Sequence, residues 1–264
     1  MKSIVANGIR IAYRVDDSAA PGRPWIVFSH SLACDHRMWD PQVPAFRDYR
    51  LLRYDTRGHG ASEAPAGDYP LEALADDLRG VLDALGIESC HFVGLSMGGM
   101  IGQQFALRYP RRFSSLTLAD TTSHYPAETA TVWEQRLALV RSQGMGAVVP
   151  STLERWFTAG FRAAQPDEIT RIAQMIRSTP VAGYAGCAYA ISRINLTARL
   201  LGIDCPTLVV VGDEDLGTPV SMAEDIVRAI PGARLQVLPA AHLSNIEQPD
   251  RFNSVLREFL AVNS

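Results

Sequence analysis

Gly94-Leu95-Ser96-Met97-Gly98 decides the reading of this chain because of what flanks it. The stretch before it, Cys90-His91-Phe92-Val93, is short, apolar and β-prone. The stretch after it, from Gly99 through Leu107, reads as a helix that Pro110 stops. A serine at a glycine-flanked strand-to-helix turn is a hydroxyl placed to act as a nucleophile. The glycines answer crowding, since so sharp a turn leaves no room for side chains beside the serine. The same turn aims backbone N–H groups at the start of the helix toward any oxyanion that forms nearby.

Outward from that turn, strand-like segments at 9–13, 25–29, 51–54, 91–93, 115–118, 207–211 and 235–238 alternate with helix-like ones. The helices fall at 71–85, 97–108, 220–230 and 249–260. This alternation predicts an α/β fold with a mostly parallel, doubly wound sheet. The stretch 122–198 breaks it: nothing there reads as a buried strand, and Met, Trp and Phe are scattered through a helical pattern. It is expected to be a helical cap inserted above the sheet's carboxyl edge, where ligands bind in open α/β folds. The core is then 1–121 and 199–264, with the cap at 122–198. A structural subdomain without a role at the site is the alternative.

A chain of 264 residues with 47% hydrophobic content can bury one sizeable core plus an excursion. The net charge of −3 supplies no basic field for nucleic acid. Cys34, Cys90, Cys187 and Cys205 form no C-x-x-C pair and read as buried thiols of a reducing compartment. Residues 1–8 break too early for a secretory apolar region, and no apolar run approaches a membrane span. The expectation is a cytoplasmic protein without membrane or nucleic-acid partners. Oligomeric state is not legible.

A serine hydroxyl needs an imidazole to take its proton, and the imidazole needs an acid to fix its tautomer. His242 follows the last strand and a small-residue step, Pro239-Ala240-Ala241, so it is the expected base. His30 and His59 read as local structure, and His36, His91 and His124 carry no motif. Val211-Gly212-Asp213-Glu214-Asp215 offers carboxylates just past a buried strand. Asp215 is the expected acid, with Asp213 and then Asp120 as alternatives. The amides of Met97 and Leu32 are the expected oxyanion donors. No metal or organic cofactor is required.

At this point the chain resembles the α/β-hydrolases, and within them the 3-oxoadipate enol-lactonases. The general motifs are Gly94–Gly99, Asp55-Thr56-Arg57-Gly58-His59-Gly60 and Gly212-Asp213-Glu214-Asp215. The narrower ones are Ser31-Leu32 with Asp35, Met38-Trp39-Asp40, Arg155-Trp156-Phe157-Thr158, Gly183-Tyr184-Ala185-Gly186-Cys187 and Ala241-His242-Leu243-Ser244-Asn245-Ile246-Glu247. The resemblance covers nearly the whole chain and implies Ser96, Asp215 and His242 as triad. Two departures stand out in the loop after the 25–29 strand: Ser31 replaces the glycine where that loop commonly reads His-Gly, and Ala33-Cys34 stands where Gly-Thr is common. Ser192-Arg193-Ile194-Asn195 also differs in the placement of Arg and Asp.

The expected activity is opening of a small anionic enol-lactone, 3-oxoadipate enol-lactone to 3-oxoadipate in aromatic catabolism. Other readings are a carboxylesterase or C–C bond hydrolase, a cofactor-free oxidative enzyme, and a hydrolase-fold receptor with slow turnover. An aspartate nucleophile, as in haloalkane dehalogenases and epoxide hydrolases, is disfavoured because the turn carries Ser96. In the cap, Trp133 and Arg136 lie three apart on one helix face. Arg155, Trp156 and Arg162 form a second basic-aromatic group. Trp133, Arg136, Arg155 and Trp156 are the candidates for substrate binding, the alternative being that the tryptophans pack the cap onto the core and the arginines face water.

Overall fold

The computed structural model describes residues 1–17 and 22–263. Eight strands form one sheet among them: β1 (Lys2–Ala6), β2 (Ile9–Asp16), β3 (Trp25–Ser29), β4 (Arg50–Tyr54), β5 (Cys90–Leu95), β6 (Phe113–Ala119), β7 (Thr207–Gly212) and β8 (Arg234–Leu238). Their spatial order is β1-β2-β4-β3-β5-β6-β7-β8. The β1/β2 and β2/β4 pairs are antiparallel, and every later pairing is parallel. The helices are α1 (Leu71–Ala84), α2 (Met97–Arg108), α3 (Thr129–Gln143), α4 (Val149–Trp156), α5 (Ala159–Ala164), α6 (Pro166–Ser178), α7 (Val181–Ser192), α8 (Val220–Ala229), α9 (Ser244–Glu247) and α10 (Pro249–Ala261).

The mostly parallel sheet matches the alternation in the sequence, and one strand, β1, is an addition to it. β1 lies at the sheet's edge with Lys2, Ser3 and Val5 exposed, so its burial is too thin to leave an apolar pattern. β5 and β7 are buried at every residue, as strands covered on both faces must be. α1 buries Leu71, Leu74, Ala75, Leu78, Val81 and Leu82, one stripe at helical spacing. Each such leucine contributes about 1.5–3 kcal/mol relative to exposure.

The chain lays down β3 and β4 on one side and then crosses to β5, so the order reverses between β3 and β5. Open α/β sheets bind ligands beside such a switch point, at the carboxyl ends of the strands. The turns after β3, β5, β6, β7 and β8 all open on that edge.

Helices α3 to α7 lie between β6 and β7. The two ends of this segment leave the sheet side by side. His124 and Asn195 form an antiparallel bridge, Leu196 N–H donates to the Ser123 carbonyl at 2.8 Å, and the Ser123 and Thr197 hydroxyls meet at 2.7 Å. α7 docks on the loop after β4 with no side chain between the backbones: a Cβ on Gly183 would lie 2.0 Å from the Gly58 carbonyl oxygen. Among the described residues no helix is long and apolar enough to cross a membrane. The cysteines are free thiols, with Cys34, Cys90 and Cys187 buried and Cys205 half-buried.

Candidate active site

Ser96 follows β5 directly and caps α2 with φ 55° and ψ −116°, a positive-φ conformation that costs a non-glycine residue about 1–3 kcal/mol. Three bonds hold it there. Ser96 N–H donates to the Ala119 carbonyl at 2.9 Å, and the Ser96 carbonyl accepts from Met100 N–H at 3.1 Å and Thr121 Oγ1 at 2.7 Å. A Cβ on Gly98 would stand 2.1 Å from the Ser29 carbonyl oxygen, so the turn excludes any larger residue.

Asp215 lies three residues beyond β7 and is buried. Its Oδ1 accepts from the Gly217 and Thr218 amides at 2.8 and 3.0 Å. Its Oδ2 accepts from Thr218 Oγ1 and from His242 Nδ1, both at 2.7 Å. With Nδ1 donating to the carboxylate, His242 keeps Nε2 as its acceptor. Burial disfavours the His242 imidazolium, but the charge and hydrogen bond of Asp215 outweigh it and raise its proton affinity above the usual value. Burial pushes Asp215 up as well, yet His242 and Thr218 hold its carboxyl below the ordinary range.

The other two carboxylate candidates go elsewhere. Asp213 is exposed and accepts from Ala240 N–H at 3.2 Å. Asp120, buried at the end of β6 with φ 44°, accepts from Gly212 N–H at 2.8 Å and from Ser244 Oγ at 2.5 Å. Burial and the neighbouring Asp215 charge push its carboxyl well above the usual range. It ties the ends of β6 and β7 to α9.

The loop after β3 is braced by two histidines. Thr56 N–H donates to His30 Nε2 at 2.9 Å, so His30 carries its proton on Nδ1 and donates to the Ser31 carbonyl at 2.8 Å. Cys34 N–H reaches that same carbonyl at 3.2 Å. In a trans peptide the next N–H points the opposite way, so this pinning orients the Leu32 amide. Ala33 N–H donates to His59 Nε2 at 3.0 Å. Burial pulls the His59 proton affinity down to about 3 and lowers that of His30, so both stay neutral and keep these tautomers. Ala33 itself takes φ 60°, a left-handed conformation that glycine adopts without the steric cost an alanine bears.

A cavity of about 260 Å³ joins these parts to the inserted helices. Ser31, Leu32, Ala33, Ser96 and His242 line it from the sheet, and Trp133, Arg136, Thr152, Arg155, Trp156 and Tyr184 from α3, α4 and α7. No carboxylate is among its described lining residues. Arg136 donates through Nε to Tyr184 Oη and through Nη2 to Thr152 Oγ1. Arg155 is half-buried, and burial together with Arg136 lowers its proton affinity. Trp156 stacks on His242 with centroids 6.2 Å apart. Arg162 stands apart from this group: it lies off the cavity and donates to the Phe157 carbonyl at 3.2 Å. Its spacing from Trp156 suggested one group, but it belongs to a different helix, α5.

Tyr184, Thr152, Thr218 and Glu247 are contributors the sequence reading did not single out as site residues. Thr218 carries a signal, a hydroxyl three residues past a loop carboxylate. Glu247 accepts from Ala241 N–H beside the imidazole, and from the backbone and hydroxyl of Thr158. Asp35, His36 and Asp55 bring possible metal-ligating atoms within 4.8 Å of one another. The Asp55 carboxylate there already accepts from His36 N–H, His36 Nδ1 and Ala61 N–H, which suits a loop brace.

Residues 24–249 match the model of a family described as alpha/beta hydrolase fold. The chain is 37% identical over 252 residues to 3-oxoadipate enol-lactonase 2 of Acinetobacter baylyi, covering 95% of this chain and 93% of that one. The crystal structure of the enol-lactonase from Burkholderia xenovorans superposes with a TM-score of 0.95 at 38% identity, covering 98% of this chain and all of that one. A malate-bound thermophilic esterase from Thermogutta terrifontis gives 0.92 at 31% identity, covering 100% and 99%. The strand order, the serine at the turn after β5 and these matches agree: the chain belongs to the alpha/beta hydrolase fold family.

Proposed function

We propose that this protein is a serine hydrolase that opens a small anionic enol-lactone, 3-oxoadipate enol-lactone to 3-oxoadipate. Ser96 is the nucleophile, His242 the base and Asp215 the acid that orients it. The amides of Met97 and Leu32 receive the oxyanion. The segment 122–198 serves as the cap that shapes the substrate's space, between core portions 1–121 and 199–264. One observation carries the reading: two guanidinium groups, Arg136 and Arg155, share with Ser96 and His242 a cavity in which no carboxylate faces them. The partners of Arg136 are neutral hydroxyls, so its charge is left for a ligand. A planar carboxylate fits a guanidinium in two parallel hydrogen bonds.

In the reaction, Ser96 Oγ bonds to the lactone carbonyl carbon while its proton passes to His242 Nε2. Collapse of the tetrahedral intermediate breaks the ring C–O bond, and the imidazolium protonates the departing enol oxygen. The enol then shifts to the ketone, which removes the nucleophile that could close the ring again. Water attacks the acyl-serine, giving its proton to His242, and the new acid leaves as Ser96 regains its proton. Fixed amides in a dry site are worth roughly 3–4 kcal/mol each at such a step.

A general carboxylesterase is the second reading, favoured by the exposed apolar residues Val132 and Leu216 at the cavity and by the likeness to an esterase. A turnover panel of the enol-lactone, simple neutral lactones and aryl esters separates the two. The lactone should give the highest kcat/KM, and an aryl ester exceeding it would replace the lactonase reading by the esterase one. A single burst without turnover on every substrate would point to a receptor.

A further inference from the structure

The two arginines of the cavity are held differently. Arg136 projects from α3, and the edge of its guanidinium formed by Nε and Nη2 is occupied by Tyr184 and Thr152. Its remaining N–H groups are directed by that clamp, and the hydroxyl of Thr152 is itself fixed by donating to the Val148 carbonyl at 2.6 Å. Arg155 has no carboxylate within ion-pair distance among the described residues, although it lines the same space. Its position follows from α4. Thr152, Arg155 and Trp156 fall at i, i+3 and i+4 and so share one face of that helix. Thr152 holds Arg136, and Trp156 stacks on His242. Arg155 therefore stands on the face that runs from the clamped arginine to the base. The electrostatics agree, because Arg155 opposes protonation of His242.

Hydrolysis of an anionic lactone changes the ligand's charge. One carboxylate enters as the side arm, and a second is created at the acyl carbon, with release of one proton. The new carboxylate forms beside Ser96 and His242, where Trp156, the neighbour of Arg155 on α4, stacks on the base. From this arrangement we infer that Arg155 receives the carboxylate the reaction creates, so that the cavity is a two-anion site that binds linear dicarboxylates more tightly than monocarboxylates. The inference rests on the reading of this cavity as the site of lactone hydrolysis. A consequence is inhibition by the dicarboxylate product, competitive with substrate.

The test uses adipate and its monoamide, which have the same length and nearly the same shape but differ by one charge. Binding to the full-length wild-type protein is measured by calorimetry, which needs no turnover. Adipate should bind at least tenfold more tightly than the monoamide. Arg155→Gln should reduce that ratio to threefold or less while leaving monoamide affinity nearly unchanged. Arg136→Gln should weaken both ligands tenfold or more. Equal affinity of the two ligands for the wild type, or absence of binding by both, overturns the inference. So does an equal loss for both ligands in Arg155→Gln, which would make Arg155 part of a single anchor. If Arg155→Gln fails to fold, the wild-type ratio still decides. Equal affinities with loss of both in Arg136→Gln would leave the one-anion lactonase reading standing, so the two failures are distinguishable.

Discussion

Glu247 and Thr158 lie 89 positions apart in the chain, and Thr158 donates both its N–H, at 3.2 Å, and its hydroxyl to the Glu247 carboxylate. The same carboxylate accepts from Ala241 N–H at 3.1 Å, and Leu243 N–H donates to the Trp156 carbonyl at 3.1 Å. The inserted helices are thus bonded to the loop on both sides of His242, and Trp156 stacks on the imidazole itself. Where the inserted segment sits and where the base sits are one problem in this molecule.

Thr158→Val should therefore disturb both stability and catalysis. It removes a hydrogen bond to a charged acceptor, worth about 1.5–3 kcal/mol, and the N-cap that the hydroxyl gives Phe161 N–H at the start of α5, worth about 0.5–2 kcal/mol. At roughly 2–4 °C per kcal/mol for a chain of this size class, the melting temperature should fall by several degrees. Of the kinetic constants, kcat should fall by more than KM rises, because the base moves while the arginines stay. Thermal melts and steady-state kinetics check this, and an unchanged kcat would show that the loop holds His242 without help from α5.

Asp215→Asn should cost on the order of 10⁴ in kcat, since an amide facing His242 Nδ1 selects the wrong tautomer. Asp213→Asn should stay within a few fold, its carboxylate being exposed and spent on the Ala240 amide. Asp120→Asn should also stay within a few fold: its oxygen still accepts from Gly212 N–H, and the Ser244 hydroxyl, which donates to Asp120 in the wild type, can turn to accept from the new amide. Comparable losses in the Asp120 and Asp215 variants would mean that the two carboxylates share the acid's role.

Activity should disappear on the acidic side through the titration of His242. Its proton affinity is raised in the folded protein, so the basic form is lost as pH falls through a value above the ordinary 6.5. The kcat/KM profile of wild type should show that inflection above 6.5. An inflection below 6.5 would mean that burial outweighs Asp215.

Ala33 offers a stability test of the oxyanion loop. Its φ of 60° costs an alanine about 1–2 kcal/mol, and glycine in its place gives up roughly 0.5–1 kcal/mol of unfolded-chain entropy. Ala33→Gly should raise the melting temperature slightly or leave it unchanged, with kcat within twofold. A drop of several degrees would show that the Ala33 methyl packs in a way that outweighs the strain.

The carboxyl edge of the sheet was legible in the sequence because Ser96 and Asp215 follow β5 and β7, buried at every residue, while His242 follows β8, which the alternation located although only its Leu238 is buried. Ser96 follows β5 directly, Asp215 lies just past β7 and His242 just past β8, so periodicity and a little turn chemistry placed them. β1 was not legible, because an edge strand with exposed Lys2, Ser3 and Val5 has no buried face to write a pattern. The Arg136 clamp was half legible: Trp133 and Arg136 share a face by spacing, but Tyr184 and Thr152 come from other helices. Contacts that close only when α3, α4 and α7 pack together leave no mark at any one position. Arg162 illustrates the reverse error, nearness in sequence across the break between α4 and α5.

The account stands most directly on the charge preference of the cavity. The measurement is kcat/KM for the carboxylated enol-lactone and for its neutral methyl ester, in wild type and in Arg136→Ala. The wild type should prefer the anion by roughly 10- to 100-fold, the scale of about 1.5–3 kcal/mol for a hydrogen-bonded charge, and Arg136→Ala should erase most of that preference. A wild type that handles both substrates equally would contradict the account, leaving a general esterase with two idle arginines.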